Sequence, residues 1–181
     1  TSSSGEEFEI VVDETMIEYV REYVDWVIYM PGKSFIETRV DFSDITPIDG
    51  QTGTSDHTNI FVDTLTITDL KYGKGIQVFA EENTQLLLYA YGSYRKFKDK
   101  YPIKRIVMRI AQPRLDHFDV WELDVPSFIK RIRKLETAAH AAWCPTADRV
   151  PGKKQCQWCK ISSDCQAYSV FAHRLVEDIF E

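Results

Sequence analysis

The chain predicts an α/β fold, a mixed β-sheet flanked by helices, and three features of its patterning say so. A helical apolar stripe comes early, strand-like segments follow it, and the order then runs helix, strand, helices. Its 181 residues suit a domain with a real hydrophobic core. A composition of 44% hydrophobic and 28% charged residues excludes a disordered chain.

The elements follow in order. Met16, Val20, Tyr23, Val24, Val27 and Ile28 recur at helical spacing over 13–30, and Pro31-Gly32 ends that helix. Ile36, Val40 and Phe42 alternate against Glu37, Arg39 and Asp41, which makes 34–42 a strand. Asp49 to Gly53 is a turn signal, and two strands are expected after it, at about 54–62 and 65–71. Their hairpin tip is hard to locate because Asn59 to Asp63 fits the alternation poorly. Tyr72-Gly73-Lys74-Gly75 reads as a loop leading to a helix near 82–99. An apolar strand spans 103–112 and a weaker one 118–124. Pro126 suits the first turn of a helix whose Phe128, Ile129, Ile132, Leu135 and Ala139 share a face. The end is a cysteine-bearing loop running into a final helix, with no repeats or low-complexity tracts. This divides the chain into a core over 1–143 and a cysteine-rich C-terminal segment, 144–181, packed on it.

No apolar run approaches the roughly 18 residues that span a bilayer, which argues against a membrane role. Thr1 to Glu7 is polar and lacks both the basic start and the apolar stretch of a signal peptide, so a cytoplasmic location is expected. Without an initiator Met, that opening reads as a fragment, a processed product or a chain with more residues upstream. A net charge of −6 excludes a generic polyanion binder, so any nucleic-acid contact must use local basic patches and a bound cation.

The residues richest in chemistry are Asp69-Leu70-Lys71, at the end of the run Leu65-Thr66-Ile67-Thr68. On a strand, Asp69 and Lys71 project to one side and Leu70 to the other. If the two strands pair as a hairpin, Asp56 comes near Asp69, and two close carboxylates repel unless a cation or proton lies between them. Hard oxygen ligands favour Mg²⁺ or Mn²⁺, and a neighbouring ammonium suits the charge of a phosphoryl transition state. Alone, the D-x-K triplet is more simply a solvated ion pair. Gln85 and Tyr89, four apart on the next helix and sharing one face, add to the signal through their order in the chain.

This order of motifs resembles the PD-(D/E)XK nuclease superfamily, and within it the RecB-like branch of phage-encoded exonucleases and iron–sulfur nucleases. The resemblance covers roughly 34–165 and implies a restriction-endonuclease-like sheet. It implies that Gly53-Thr54-Ser55-Asp56 ends in a metal-binding acid, that Asp69 is a second ligand, and that Lys71 is the catalytic lysine. The backbone carbonyl of Leu70 would complete the metal shell. Gln85-Leu86-Leu87-Leu88-Tyr89 would match the Q-x-x-x-Y motif, with Gln85 orienting the lysine or water and Tyr89 supporting the site or touching substrate. The activity implied is metal-dependent hydrolysis of DNA, as an exonuclease of phage recombination or processing, with a homo-oligomer or a recombination partner protein as company. The chain departs from the branch in one respect: no histidine lies on a helix upstream of the first strand, since His57, His117, His140 and His173 all come later. Either that helix precedes Thr1 or full activity is absent. A non-catalytic nucleic-acid-binding or scaffold protein is therefore the rival reading. His57 is expected to be packed or on the surface, and Glu37 is a weaker site candidate.

Cys144, Cys156, Cys159 and Cys165 form a C-x11-C-x2-C-x5-C pattern suited to Zn²⁺ or a [4Fe–4S] cluster, with disulfides the bland alternative. The ending resembles the cluster-binding segment of iron–sulfur nucleases, although there the first cysteine generally precedes the core. Two basic clusters stand out. Arg95, Lys96, Lys98, Lys100, Lys104 and Arg105 have Tyr94, Phe97 and Tyr101 interleaved, and Lys130, Arg131, Arg133 and Lys134 form the second. Such a surface suits phosphates and stacked bases, with a solvated helix end as the simpler reading. Lys74, between Gly73 and Gly75, is the better candidate for phosphate contact.

Overall fold

The computed structural model describes the backbone of residues 11–180 and side chains through 177. The polar opening Thr1 to Glu7 lies outside the described residues. Five strands form one sheet in sequential order: β1 (Lys33–Asp41), β2 (Thr52–Phe61), β3 (Thr64–Leu70), β4 (Arg105–Gln112) and β5 (His117–Asp124). The β3–β4 pair is parallel and the other three are antiparallel. The parallel pair follows from connectivity, because α2 (Thr84–Phe97) crosses between those two strands. The expected mixed sheet flanked by helices is the fold observed.

Local chemistry sets the helix ends. Asp13 caps α1 (Glu14–Ile28) by accepting from the Met16 amide at 2.7 Å. Asn83 caps α2 through the Leu86 amide, while Arg95 and Lys96 complement the dipole in its last turn. Asp124 accepts from the Ser127 amide at 2.7 Å at the start of α3 (Val125–Trp143), with Pro126 in the first turn.

The core lies between the sheet and α2. Leu65, Ile67, Ile106, Met108 and Ile110 alternate along β3 and β4 and pack with Leu86, Leu87 and Ala90 of α2 and with Phe128 and Ile132 of α3. Gly92 lets α2 come close to β1, since a Cβ there would lie 2.7 Å from the Val40 Cβ. The interleaved aromatics belong to this core rather than to a base-stacking surface. Phe97 is buried and packs on Phe35 and Tyr101, and Tyr94 packs on Phe128. Arg95 of the same cluster pairs with Asp44.

Two backbone features escape the sequence pattern. The β2–β3 turn is Val62–Asp63, with Val62 at φ +55°, a conformation a β-branched residue adopts only at a cost. No Asn-Gly or Asp-Gly marks that turn, which explains the poorly legible hairpin tip. Glu37 has φ +49°, and the alternation of β1 changes parity around it: Phe35 packs on α2 before it, and Thr38 and Val40 are buried after it.

The chain divides into compact units at His140/Ala141, a few residues before the boundary expected from the cysteines. The second unit holds the end of α3, a short α4 (Lys153–Cys156), a 3-10 turn at Ser162–Asp164 and α5 (Gln166–Phe180). Among the described residues no helix is long and apolar enough to cross a membrane.

Candidate active site

The hairpin register builds the site. His57 pairs with Thr68, so the next step brings Asp56 opposite Asp69 where the strands stop pairing. The Asp56 carboxylate takes over from the ladder there, its Oδ2 accepting from the Leu70 amide at 2.7 Å. Lys71 is held by its own amide, which donates to the Ala111 carbonyl of β4 at 2.8 Å. Asp69 shares the core-facing side of β3 with Leu65 and Ile67, and its side chain is 4% exposed.

Four side chains then form a relay from sheet to helix. Lys71 Nζ lies 2.7 Å from Asp69 Oδ2 and donates to Gln85 Oε1 at 2.6 Å. Gln85 Nε2 in turn donates to the Tyr89 hydroxyl at 3.1 Å. The Tyr89 ring lies against Gly53, where a Cβ would come within 2.4 Å of Cε1. A glycine three residues before Asp56 is thus required by the helix that carries the relay.

The electrostatics of Asp69 are unbalanced. Its Oδ2 lies 2.7 Å from Lys71 Nζ and is otherwise buried without a hydrogen-bond donor. Burial pushes its carboxyl above the usual carboxylate range, the Lys71 ammonium pulls it back, and Asp56 adds to the rise. A buried carboxylate in that position, beside a second one, suits a hard divalent cation. Glu37 faces Asp56 across β1 and β2, at the step between the pairs Ile36–His57 and Thr38–Ser55, but its side chain is exposed. Among the described residues, no three His, Cys, Asp or Glu side chains are gathered as a metal cage, so Asp56 and Asp69 stand as a pair.

Several residues of this environment were not legible as site residues. Tyr23, counted in the apolar stripe of α1, feels the charges of Asp56, Asp69 and Glu37. With burial as the largest cause, these push its phenol far above its usual range, against the opposing pull of Arg109. The helix before β1 therefore brings a tyrosine, not a histidine, into the field of the acids. Arg109 anchors α1. It donates to the Trp26 carbonyl and the Met30 sulfur and lies 3.3 Å from the Trp26 ring centroid. Burial pulls its guanidinium down to about 10, with Tyr23 opposing. An arginine inside the otherwise apolar run 103–112 was the available signal. The loop joining Lys71 to Gln85 is clasped from β4 and β5. Gln112 accepts from the Val78 amide at 2.7 Å and donates to the Ile76 carbonyl at 2.9 Å, and Asp119 accepts from the Ala80 amide at 2.7 Å. His117 Nε2 donates to the Val78 carbonyl, which leaves Nδ1 to accept from Gln77.

Lys74 stays outside the relay, exposed on its loop. His57 is packed, with Nε2 on Ser34 Oγ and Nδ1 unpartnered.

A family profile described as "Protein of unknown function (DUF2800)" matches residues 2–181. The chain belongs to that family. This DUF2800 protein is also similar to a solved structure, "Crystal structure of SSO0001", at 12% identity over 87% of this chain and 72% of that one, with a TM-score of 0.45.

In the DUF2800 chain all four cysteines are free thiols, so no disulfide closes the second unit. Cys156 Sγ accepts from the Gly152 amide at 3.5 Å and Cys165 Sγ from Arg149 at 3.8 Å. Hydrogen bonds lower two of the thiols: the Thr146 side chain acts first on Cys144, and the Tyr168 amide first on Cys165. Both effects favour thiolate, the form that ligates metals.

Proposed function

We propose that this protein is a divalent-metal-dependent deoxyribonuclease of the PD-(D/E)XK type, acting as an exonuclease on DNA ends. The observation that carries the proposal is Asp56 set opposite Asp69, with Lys71 bridging the second acid to Gln85. The exonuclease preference and the phage setting come from the resemblance of the motifs.

Asp56, Asp69 and the Leu70 carbonyl would hold Mg²⁺ or Mn²⁺. When bound, the ion supplies Lewis acidity toward a phosphoryl oxygen and lowers the pKa of bound water. The chain's own residues do the rest. Asp56 commits Oδ2 to the Leu70 amide, which fixes the orientation of its carboxylate. The Lys71 side chain beside Asp69 would offset negative charge accumulating on the phosphate. Gln85 holds the ammonium in place, and Tyr89 braces Gln85. Lys74 offers a phosphate contact from the exposed loop.

The cysteines, which are not gathered as a cage among the described residues, would have to draw together to bind a [4Fe–4S] cluster or Zn²⁺ as a structural centre of the second unit, detected as cluster absorbance or stoichiometric zinc in the purified protein. Metal-free protein of unchanged stability would remove that assignment. The nuclease reading is tested by Mn²⁺-dependent digestion of end-labelled linear against closed circular DNA. Linear DNA should be degraded, and Asp69→Ala or Lys71→Ala should lower the rate at least about 100-fold with DNA binding retained. Cutting unaffected by both changes would discard the assignment, and binding without cutting would favour the non-catalytic reading.

A further inference from the structure

α3 carries Lys130, Arg133, Lys134 and Thr137 on one exposed face, opposite the buried Phe128 and Ile132. Two concavities open along it. One, of about 760 Å³, sets Lys130, Arg133 and Lys134 around an apolar floor of Val125, Pro126 and Ile129. The other, of about 410 Å³, shares Lys130 and Lys134, takes in Arg131 with its partner Glu82, and extends to Thr84, the first residue of α2 and the neighbour of Gln85. The cationic groove thus reaches the turn of helix that supports Lys71.

The fold itself does not use these charges. Arg131 pairs with Glu82 at 2.7 Å and lies over the Trp121 ring, but Lys130, Arg133 and Lys134 have no ion pair among the described residues. Lys130 and Lys134 stand at i, i+4, where like charges destabilise a helix. Glu136, three residues after Arg133, makes no ion pair with it among the described residues. In a chain of net charge −6, three unneutralised cations lining a concavity are a local field for a polyanion.

We infer that the α3 groove is the track for the phosphodiester backbone of a nucleic-acid strand on its way to the carboxylate–lysine site. This inference deepens the nuclease reading and rests on it. The cations meet phosphates, the apolar floor meets sugar and base faces, and the groove ends beside α2, which carries Gln85 and Tyr89 of the relay.

The test is fluorescence anisotropy of a labelled single-stranded deoxyoligonucleotide with the full chain, without added divalent metal and over a salt series. The K130A/R133A/K134A variant should bind at least tenfold more weakly, with its log–log salt slope reduced by about 2 for three lost phosphate contacts. K130Q/K134Q, which keeps the side-chain stems, should show a smaller change in the same direction. K98A/K100A, in the other basic cluster, should match the wild type. Unchanged affinity and slope in the triple variant would overturn the groove, as would a wild-type chain that does not bind the oligonucleotide. If Asp69-dependent cutting persists with unchanged affinity in the triple variant, the groove alone fails. α3-dependent binding without any Mn²⁺-dependent cutting means that the nuclease reading alone fails.

Discussion

The two faces of the sheet obey different rules. Toward α2, Leu65, Ile67, Ile106, Met108 and Ile110 form a continuous apolar surface, with Asp69 at its end. Toward the opposite side, the same strands present His57, Thr68 and Arg109 side by side in register across three strands, all buried. The His57 Nδ1 and Thr68 Oγ1 atoms there have no partner, and Arg109 has no carboxylate partner among the described residues. One face is optimised for packing, so the relay at its rim inherits rigid supports. The other keeps buried polar groups at a cost.

That contrast predicts unequal responses to substitution. The largest effect should come from the packed face: Met108→Ala or Leu86→Ala should cost about 2–5 kcal/mol in chemical denaturation, through lost burial and a residual cavity. A loss well under 1 kcal/mol would mean that this face is not close-packed. Next comes Gly53→Ala, whose new Cβ must displace the Tyr89 ring. It should cost about 1–3 kcal/mol and loosen the Gln85–Tyr89 hydrogen bond, visible as altered tyrosine fluorescence. Full stability in that variant would show that the helix can retreat from β2.

On the polar face, Arg109→Met should be tolerated within about 1 kcal/mol, or even stabilise, because it removes a buried charge while keeping the packing against Trp26. A loss of several kcal/mol would instead show that its hydrogen bonds and its stacking on Trp26 outweigh the cost of burying the charge. The smallest effect concerns pH. Burial, then Arg109, holds the His57 imidazole below its ordinary value of 6.5. Because the folded value is the depressed one, its contribution is fully present above about 6.5 and is lost as pH falls through the folded value. Melting temperature should therefore decline on acidification, and His57→Gln should flatten that decline. An identical pH profile in the variant would place the acid sensitivity elsewhere.

Sequence patterning reaches the packed face well and the polar face poorly, for physical reasons. Asp56, Asp69, Lys71, Gln85 and Tyr89 could be ordered because strand and helix periodicities fix which side chains share a face, and the geometry unites them. Tyr23 and Arg109 were hidden because an aromatic in a helical stripe and a lone cation in an apolar strand have no period of their own. Gln112, His117 and Asp119 were hidden because they act on loop backbone more than thirty residues away in sequence, which no local pattern encodes. The left-handed Glu37 and Val62 escaped because neither residue type advertises a positive φ.

The most direct measurement is Mn²⁺ titration by calorimetry on the wild type, Asp56→Asn and Asp69→Asn. If both carboxylates share one ion, the wild type shows a saturable site that either substitution abolishes or weakens by at least about tenfold, which is about 1.4 kcal/mol. Wild-type Mn²⁺ affinity in both variants would contradict the account.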